Sequence, residues 1–157
     1  MYSRLRKRRR KRDFLVVHGV LTSSQIAAVE ECVADGEPAV HYGRADDAPR
    51  RSTVAWLSLD AAPPWLVARL KACVRIGAAR WRVSKPHYED IQHASYEVGG
   101  HYKQWHLDGK PEALRDGDPE DDRVLSVVVL LRTAEKGGIL QAWTRAGARS
   151  VPLRAGS

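Results

Sequence analysis

The chain has 157 residues, of which 43% are hydrophobic and 29% are charged, as expected for one globular domain rather than two. No apolar run approaches the roughly 20 residues that cross a bilayer, and apolar residues 14–17 are too few for the core of a signal peptide. These features argue against a membrane-spanning or exported protein and predict a cytoplasmic one. Cys32 and Cys73 lie in helix-like apolar patterns and are predicted to be buried, reduced thiols.

The net charge of +7 is concentrated at the N-terminus, where residues 4–12, "RLRKRRRKR", hold eight of the 26 basic residues. The remaining basic residues nearly balance the 19 acidic ones. Self-repulsion and a lack of apolar residues predict that residues 1–12 form a disordered basic tail, with a domain over 13–157. Residues 4–12 would attract nucleic acid or an anionic surface weakly and without sequence preference. The alternative is a solvated terminus with no dedicated partner.

The first half of the domain reads as two helices with strands before and between them. Residues 14–17 are predicted as a short strand, and Thr22 and Gln25 form a capping box that starts a helix ending at Gly36. Residues 37–50 are rich in turn formers and are predicted as loop, whereas 51–59 have the β-branched and aromatic residues of a strand. A second helix is predicted over 63–81, because it opens with prolines and repeats apolar residues at helical spacing.

From about residue 87 the helical period gives way to strand-like segments at 88–96, 101–107, 123–131, 138–144 and 149–153. Helices followed by strands predict an α+β domain whose sheet or barrel is supported by the two helices. The acidic, turn-rich residues 109–122 follow directly on a candidate site and are predicted to form its rim or lid.

The stretch "HLD" contains the candidate metal ligands. On a strand, residues two apart share a face, so His106 and Asp108 are predicted to point together while Trp105 and Leu107 point the other way. One imidazole and one carboxylate form the sequence-local part of the two-histidine, one-carboxylate triad that holds ferrous iron with open positions. The alternative is that the pair consists of ordinary polar surface residues.

The surrounding residues resemble the prolyl 4-hydroxylase-like iron(II) and 2-oxoglutarate dependent dioxygenases, over about residues 14–157. The matching positions, in the family's order, are Tyr96, Gly99, Gly100, Tyr102, His106 and Asp108. The resemblance continues through "RVLSVVVLL" at 123–131, "GGIL" at 137–140 and the closing "VPLRAGS".

The resemblance implies a double-stranded β-helix, a jelly-roll or cupin-like fold, with supporting N-terminal helices. His106 and Asp108 would bind iron(II), and Tyr96 and Ser126 would contact the cosubstrate 2-oxoglutarate, with ascorbate as an optional further cofactor. The activity implied is hydroxylation of a C–H bond, most commonly of a prolyl residue, in a peptide, protein or amino-acid substrate.

One departure from the family pattern affects the metal site. The family's second histidine, and the arginine or lysine that pairs with 2-oxoglutarate, lie on a later strand, whereas no histidine follows His106 here. The final strands are therefore predicted to be missing, which would leave residues 127–131 exposed and the 157-residue chain with little turnover. His93 and His101 are predicted to face away from the site. Alternative functions are a noncatalytic binding module of the same fold and a nucleic-acid-associated protein that acts through its tail.

Overall fold

The computed structural model describes residues 14–33, 37–38, 49–84, 87–108 and 123–157. These residues contain two helices and seven short strands: α1 (Ser23–Cys32), β1 (Glu37–Pro38), β2 (Arg50–Arg51), β3 (Thr53–Leu57), α2 (Pro64–Trp81), β4 (Ile91–Ser95), β5 (His101–Tyr102), β6 (Gln141–Thr144) and β7 (Gly147–Ser150). The predicted tail, 1–12, and the predicted lid, 109–122, lie outside the described residues, so both remain predictions.

Helix α1 begins at the predicted capping box. The Thr22 hydroxyl accepts a hydrogen bond from the Gln25 backbone N–H at 3.3 Å, and the Gln25 side chain accepts one from the Thr22 N–H at 3.0 Å. The helix ends at Cys32, and the predicted end at Gly36 lies outside the described residues. Cys32 is exposed, so its predicted burial is wrong: Val29 and Val33 carry the buried face of this part of the chain instead.

Helix α2 confirms the prediction from the proline-led apolar pattern. Its N-cap is Pro63, and Pro64 occupies the first helical position, where a missing N–H costs no intrahelical bond. Leu66 and Ala78 are buried, while Cys73 is a half-buried free thiol. Among the described residues, no helix is both long and apolar enough to cross a bilayer.

The strands form three small antiparallel sheets. The largest has the order β1-β3-β4, with Thr53 opposite Ser95 and Leu57 opposite Ile91. Strand β2 pairs with β5, and β6 forms a hairpin with β7. Along β3 and β4 one face carries Leu57 and Ile91, which pack on the core, and the other carries an exposed cross-strand pair, Trp56 and Gln92. One face of this sheet is therefore left uncovered by the helices.

The core joins residues 14–21, both helices, the β3–β4 sheet and residues 129–131. Its buried residues are Val20, Leu21, Val29 and Leu66, and partly buried Val17, Leu57, Ile91, Val129 and Leu131 are among those packed on them. Burial of such side chains, at about 25 cal/mol per Å² of apolar surface, is the main stabilising term for this arrangement.

Several predicted strands are shorter than expected or absent. Residues 14–17 form no strand, and Val17 packs on the core. The segment 123–131 forms no regular ladder, and its backbone bonds to residues 156 and 157 only at Leu130. Strand 101–107 is confined to β5, and the loop predicted at 37–50 carries β1 and β2 at its two ends. The described strands do not close into a double-stranded β-helix, which stays a prediction.

The apolar residues of 123–131 are divided between the core and solvent. Val129 and Leu131 pack against the core, whereas Val127 and Val128 are exposed. Within the predicted exposed stretch, residues 127–131, the prediction therefore holds for Val127 and Val128 only.

Candidate metal-binding site

A tight turn after β4 brings the chain to the site. Gly99 has φ +79°, a conformation open to glycine but costly for other residues, and the Gly100 N–H donates to the Glu97 carbonyl at 2.7 Å. A Cβ on Gly100 would lie 3.1 Å from the carbonyl oxygen of Arg51. The glycine pair thus allows β5 to approach β2, and this pairing places Tyr102 directly opposite Arg50.

The chain then bends between Tyr102 and His106. Their rings stack with centroids 4.3 Å apart and planes at 15°, whereas residues four apart on an extended strand are separated by about 13 Å. The strand prediction for 103–107, and with it the alternation argument for His106 and Asp108, is therefore wrong. The stack fixes the orientation of the imidazole in place of a strand.

His106 and Asp108 nevertheless point together, since His106 Nε2 lies 3.3 Å from Asp108 Oδ1. The other nitrogen of the ring, Nδ1, is 3.0 Å from the Gln104 carbonyl oxygen, which can only accept, so Nδ1 donates in this contact. The other carboxylate oxygen, Oδ2, accepts a hydrogen bond from the Ser126 hydroxyl. Each side chain is thus tethered through one atom and offers its other atom to the shared point.

The positive charge of Arg123, at the start of residues 123–157, also acts on Asp108. Arg123 donates from Nε to both carboxylate oxygens of Glu89, at 2.6 and 2.7 Å. These hydrogen bonds are the main reason that the pKa of Arg123 is raised, and the negative charge of Asp108 contributes to a smaller degree. The Glu89–Arg123 pair therefore anchors the segment that carries Ser126 and holds a positive charge near Asp108.

The donor atoms suit a divalent ion. Two ligands bound at about 2.1 Å and at right angles on one ion lie about 3.0 Å apart, close to the observed 3.3 Å. Both side chains remain accessible, with 42% and 43% of their surfaces exposed. Among the described residues, no group of three His, Cys, Asp or Glu side chains is placed to hold a metal. The same separation also suits a direct ion pair when His106 is protonated.

The other predicted site residues have different surroundings. Ser126 contacts the His106–Asp108 pair through Asp108. Tyr96 is 46% exposed and follows the end of β4, and no hydrogen bond joins its hydroxyl to the other described residues. His93 is half-buried near Glu30, and burial lowers its pKa while the charge of Glu30 opposes that shift. The His101 ring nitrogen Nδ1 lies 3.0 Å from the Gly99 carbonyl.

Three contacts at the site were not predicted. The contact between His106 and Gln104 is made by the backbone carbonyl of Gln104, and the pattern of side chains in the sequence gives no signal for such a contact. The charge of Arg123 acts on Asp108 and the Arg50 guanidinium lies over the Tyr102 ring. Both arginines come from segments far from His106 in sequence, and nothing local distinguishes them from the other arginines. Only Ser126 had a signal, through its match to a small polar position of the family.

The chain was compared with family models, with curated proteins and with solved structures, and none of them matches it.

Proposed function

We propose that this protein is an iron(II)- and 2-oxoglutarate-dependent dioxygenase that hydroxylates a C–H bond, most commonly that of a prolyl or other amino-acid residue. The observation that supports this proposal is the tethered pair: His106 Nε2 and Asp108 Oδ1 lie 3.3 Å apart, with the Gln104 carbonyl and the Ser126 hydroxyl holding their opposite atoms. Such outer contacts orient metal ligands and fix the histidine tautomer. An unspecialised surface pair has no need of both.

When bound, iron(II) would supply the activation of dioxygen together with 2-oxoglutarate. His106 and Asp108 would hold the ion on one side and leave its remaining positions open. The Ser126 hydroxyl would keep Oδ2 occupied, so that the carboxylate binds through Oδ1 alone. Since these are the only two ligands that the described residues bring together, we expect weak metal binding and low turnover.

Peptides, proteins or amino acids are the proposed substrates, because the sequence resembles enzymes that act on them. Tyr96 and Ser126 are proposed to line the 2-oxoglutarate side of the site, with Tyr96 donating its hydroxyl hydrogen bond to the cosubstrate. The proposed compartment is the cytoplasm, since Cys32 and Cys73 are both free thiols.

Metal binding tests this proposal directly. Mn(II), a redox-silent stand-in for iron(II), is titrated into the 157-residue chain and followed by electron paramagnetic resonance. We expect His106→Ala and Asp108→Ala each to weaken binding by at least about tenfold, and His87→Ala, at an exposed position, to leave it unchanged. Equal Mn(II) affinity in all four proteins would refute the metal site.

Turnover is tested separately by succinate formation from 2-oxoglutarate under air with iron(II). We expect the wild-type signal to be small and to disappear in both ligand variants. Succinate formation that is independent of His106 and Asp108 would refute the assignment of these two residues.

A further inference from the structure

Arg50 has no acidic partner among the described residues, and it lies one aromatic ring away from His106. Its central carbon lies 5.1 Å from the centroid of the Tyr102 ring, and that ring stacks on His106. The three side chains form a column in the order Arg50, Tyr102, His106. The column follows from the β2–β5 register, which pairs Arg50 with Tyr102.

Neutral groups hold the guanidinium in place. Arg50 Nε donates to the Ser52 hydroxyl at 2.7 Å, and Nη2 donates to Gln92 Oε1 at 3.4 Å. Among the described residues, no carboxylate forms an ion pair with Arg50, although both Arg123 and Arg132 have one. No acidic side chain among these residues therefore balances the guanidinium, which still has N–H groups to donate.

The partial burial of Arg50 gives its positive charge an energetic cost. Arg50 is only partly accessible, and a partly buried charge is costly when no counter-charge balances it. Cation–π contact with Tyr102 offsets some of that cost. A bound anion would offset the rest, and the planar fork of a guanidinium matches a carboxylate through two parallel hydrogen bonds.

The Gln92 contact shows which side of the sheet Arg50 occupies. Gln92 lies with Trp56 on the face of β3 and β4 that the helices leave uncovered. Arg50 therefore stands over the open face of this sheet, while Tyr102 extends the column to the metal-ligand pair. Arg50 is partly accessible, and His106 and Asp108 are 42% and 43% exposed, so an anion can approach each of them from solvent.

We propose that Arg50 is the anion-binding residue of this site and that it holds one carboxylate of a small dicarboxylate, whose other end reaches the His106–Asp108 pair. This inference rests on the proposed function for the identity of the ligand, which would be 2-oxoglutarate. Ser52 and Gln92 position the guanidinium, and Tyr102 spaces it from the imidazole. None of these roles follows from the family resemblance, in which the carboxylate partner lies on a later strand.

The test measures 2-oxoglutarate binding to the 157-residue chain by isothermal titration calorimetry, with and without Mn(II). Arg50→Gln is expected to raise the Kd for 2-oxoglutarate by about tenfold or more, because charge-assisted hydrogen bonds are lost. Arg51→Gln is the matched control, since Arg51 is the exposed neighbour on the same two-residue strand. It is expected to change that Kd less than twofold.

A second variant keeps the arginine. Gln92→Glu places a carboxylate at the group that now accepts from Arg50, so it should compete with the ligand and weaken 2-oxoglutarate binding in the same direction. The substitution is at an exposed position and should leave the fold intact, which far-UV circular dichroism would verify. The Kd for Mn(II) alone is expected to stay unchanged in all three variants.

The outcomes separate this inference from the proposed function. Failure of the wild-type chain to bind 2-oxoglutarate, or equal Kd values in Arg50→Gln, Gln92→Glu and wild type, would overturn the role of Arg50. Failure of the wild-type chain to bind Mn(II) would overturn the proposed metal site alone. In that case 2-oxoglutarate binding that still depends on Arg50 would support the anion site.

Discussion

Gly156 provides the sharpest test of how the site is held together. Its backbone has φ +77°, its carbonyl accepts from the N–H groups of Val20 and Leu21 at 2.8 and 3.2 Å, and its own N–H donates to the Leu130 carbonyl at 2.8 Å. It therefore ties the segment that carries Ser126 to the start of α1. An added Cβ would collide with the Leu21 carbonyl oxygen, so Gly156→Ala cannot keep both the backbone conformation and these bonds.

The expected loss in the free energy of unfolding follows from those contacts. Left-handed backbone costs an alanine about 1–2 kcal/mol, and losing the two hydrogen bonds to Val20 and Leu21 costs about 1 kcal/mol each. Gly156→Ala should therefore lower the free energy of unfolding by roughly 3–4 kcal/mol, a large part of the stability of a small domain. Gly19→Ala is the matched control, because Gly19 also has positive φ, +69°, but open space around it. It should cost only about 1 kcal/mol.

Urea unfolding at 25 °C, followed by far-UV circular dichroism, gives both values. A difference of less than about 0.5 kcal/mol between Gly156→Ala and Gly19→Ala would refute the reasoning, since it is smaller than one hydrogen bond. Such a result would mean that the chain end is frayed in solution, as termini commonly are, and that it does not hold Leu130.

Three further predictions concern single contacts. Ser126→Ala should weaken Mn(II) binding by about 10–100-fold, while Ser126→Thr, which keeps the hydroxyl, should retain it; equal affinity in the alanine variant would contradict the tether. Hydrogen bonds from Arg132 lower the pKa of Glu30 from its ordinary value of 4.5, so their stabilisation is present at neutral pH and is lost as pH falls through the lowered pKa. Arg132→Gln should therefore destabilise the chain near pH 7 and have no effect in strong acid, and urea unfolding across that range checks it. Iodoacetamide should modify exposed Cys32 before Cys73, because burial raises the pKa of the Cys73 thiol; mass spectrometry of the two peptides would reveal the opposite order.

The helices could be predicted because their signals are local. The capping box at Thr22 and the prolines before α2 act within a few residues of the boundary that they define. Strand pairing depends on distant partners, and the same apolar pattern at 123–131 is compatible with a regular ladder or with a segment outside any ladder that packs only in part on the core. The chain adopts the second, because Leu130 bonds to residues 156 and 157 and Val129 packs on the core.

The candidate site combines a correct prediction with an incorrect reason. His106 and Asp108 converge as the sequence predicts, but a strand does not bring them together. The bend that stacks His106 on Tyr102 does so, with the Gln104 carbonyl and the Ser126 hydroxyl fixing the outer atoms. A two-residue spacing is compatible with both geometries, so the spacing alone could not distinguish them.

The difference matters for the chemistry of the site. A ligand pair on a strand would derive its orientation from the whole sheet, and any one side-chain contact would contribute little to it. Here the orientation of His106 depends on the Tyr102 ring and the Gln104 carbonyl. The orientation of Asp108 depends on the Ser126 hydroxyl. Since Tyr102 also contacts Arg50, an anion bound at Arg50 would act on the same ring that positions the imidazole. If both proposed ligands bind, their binding should therefore be coupled, and each would change the affinity for the other by the same factor.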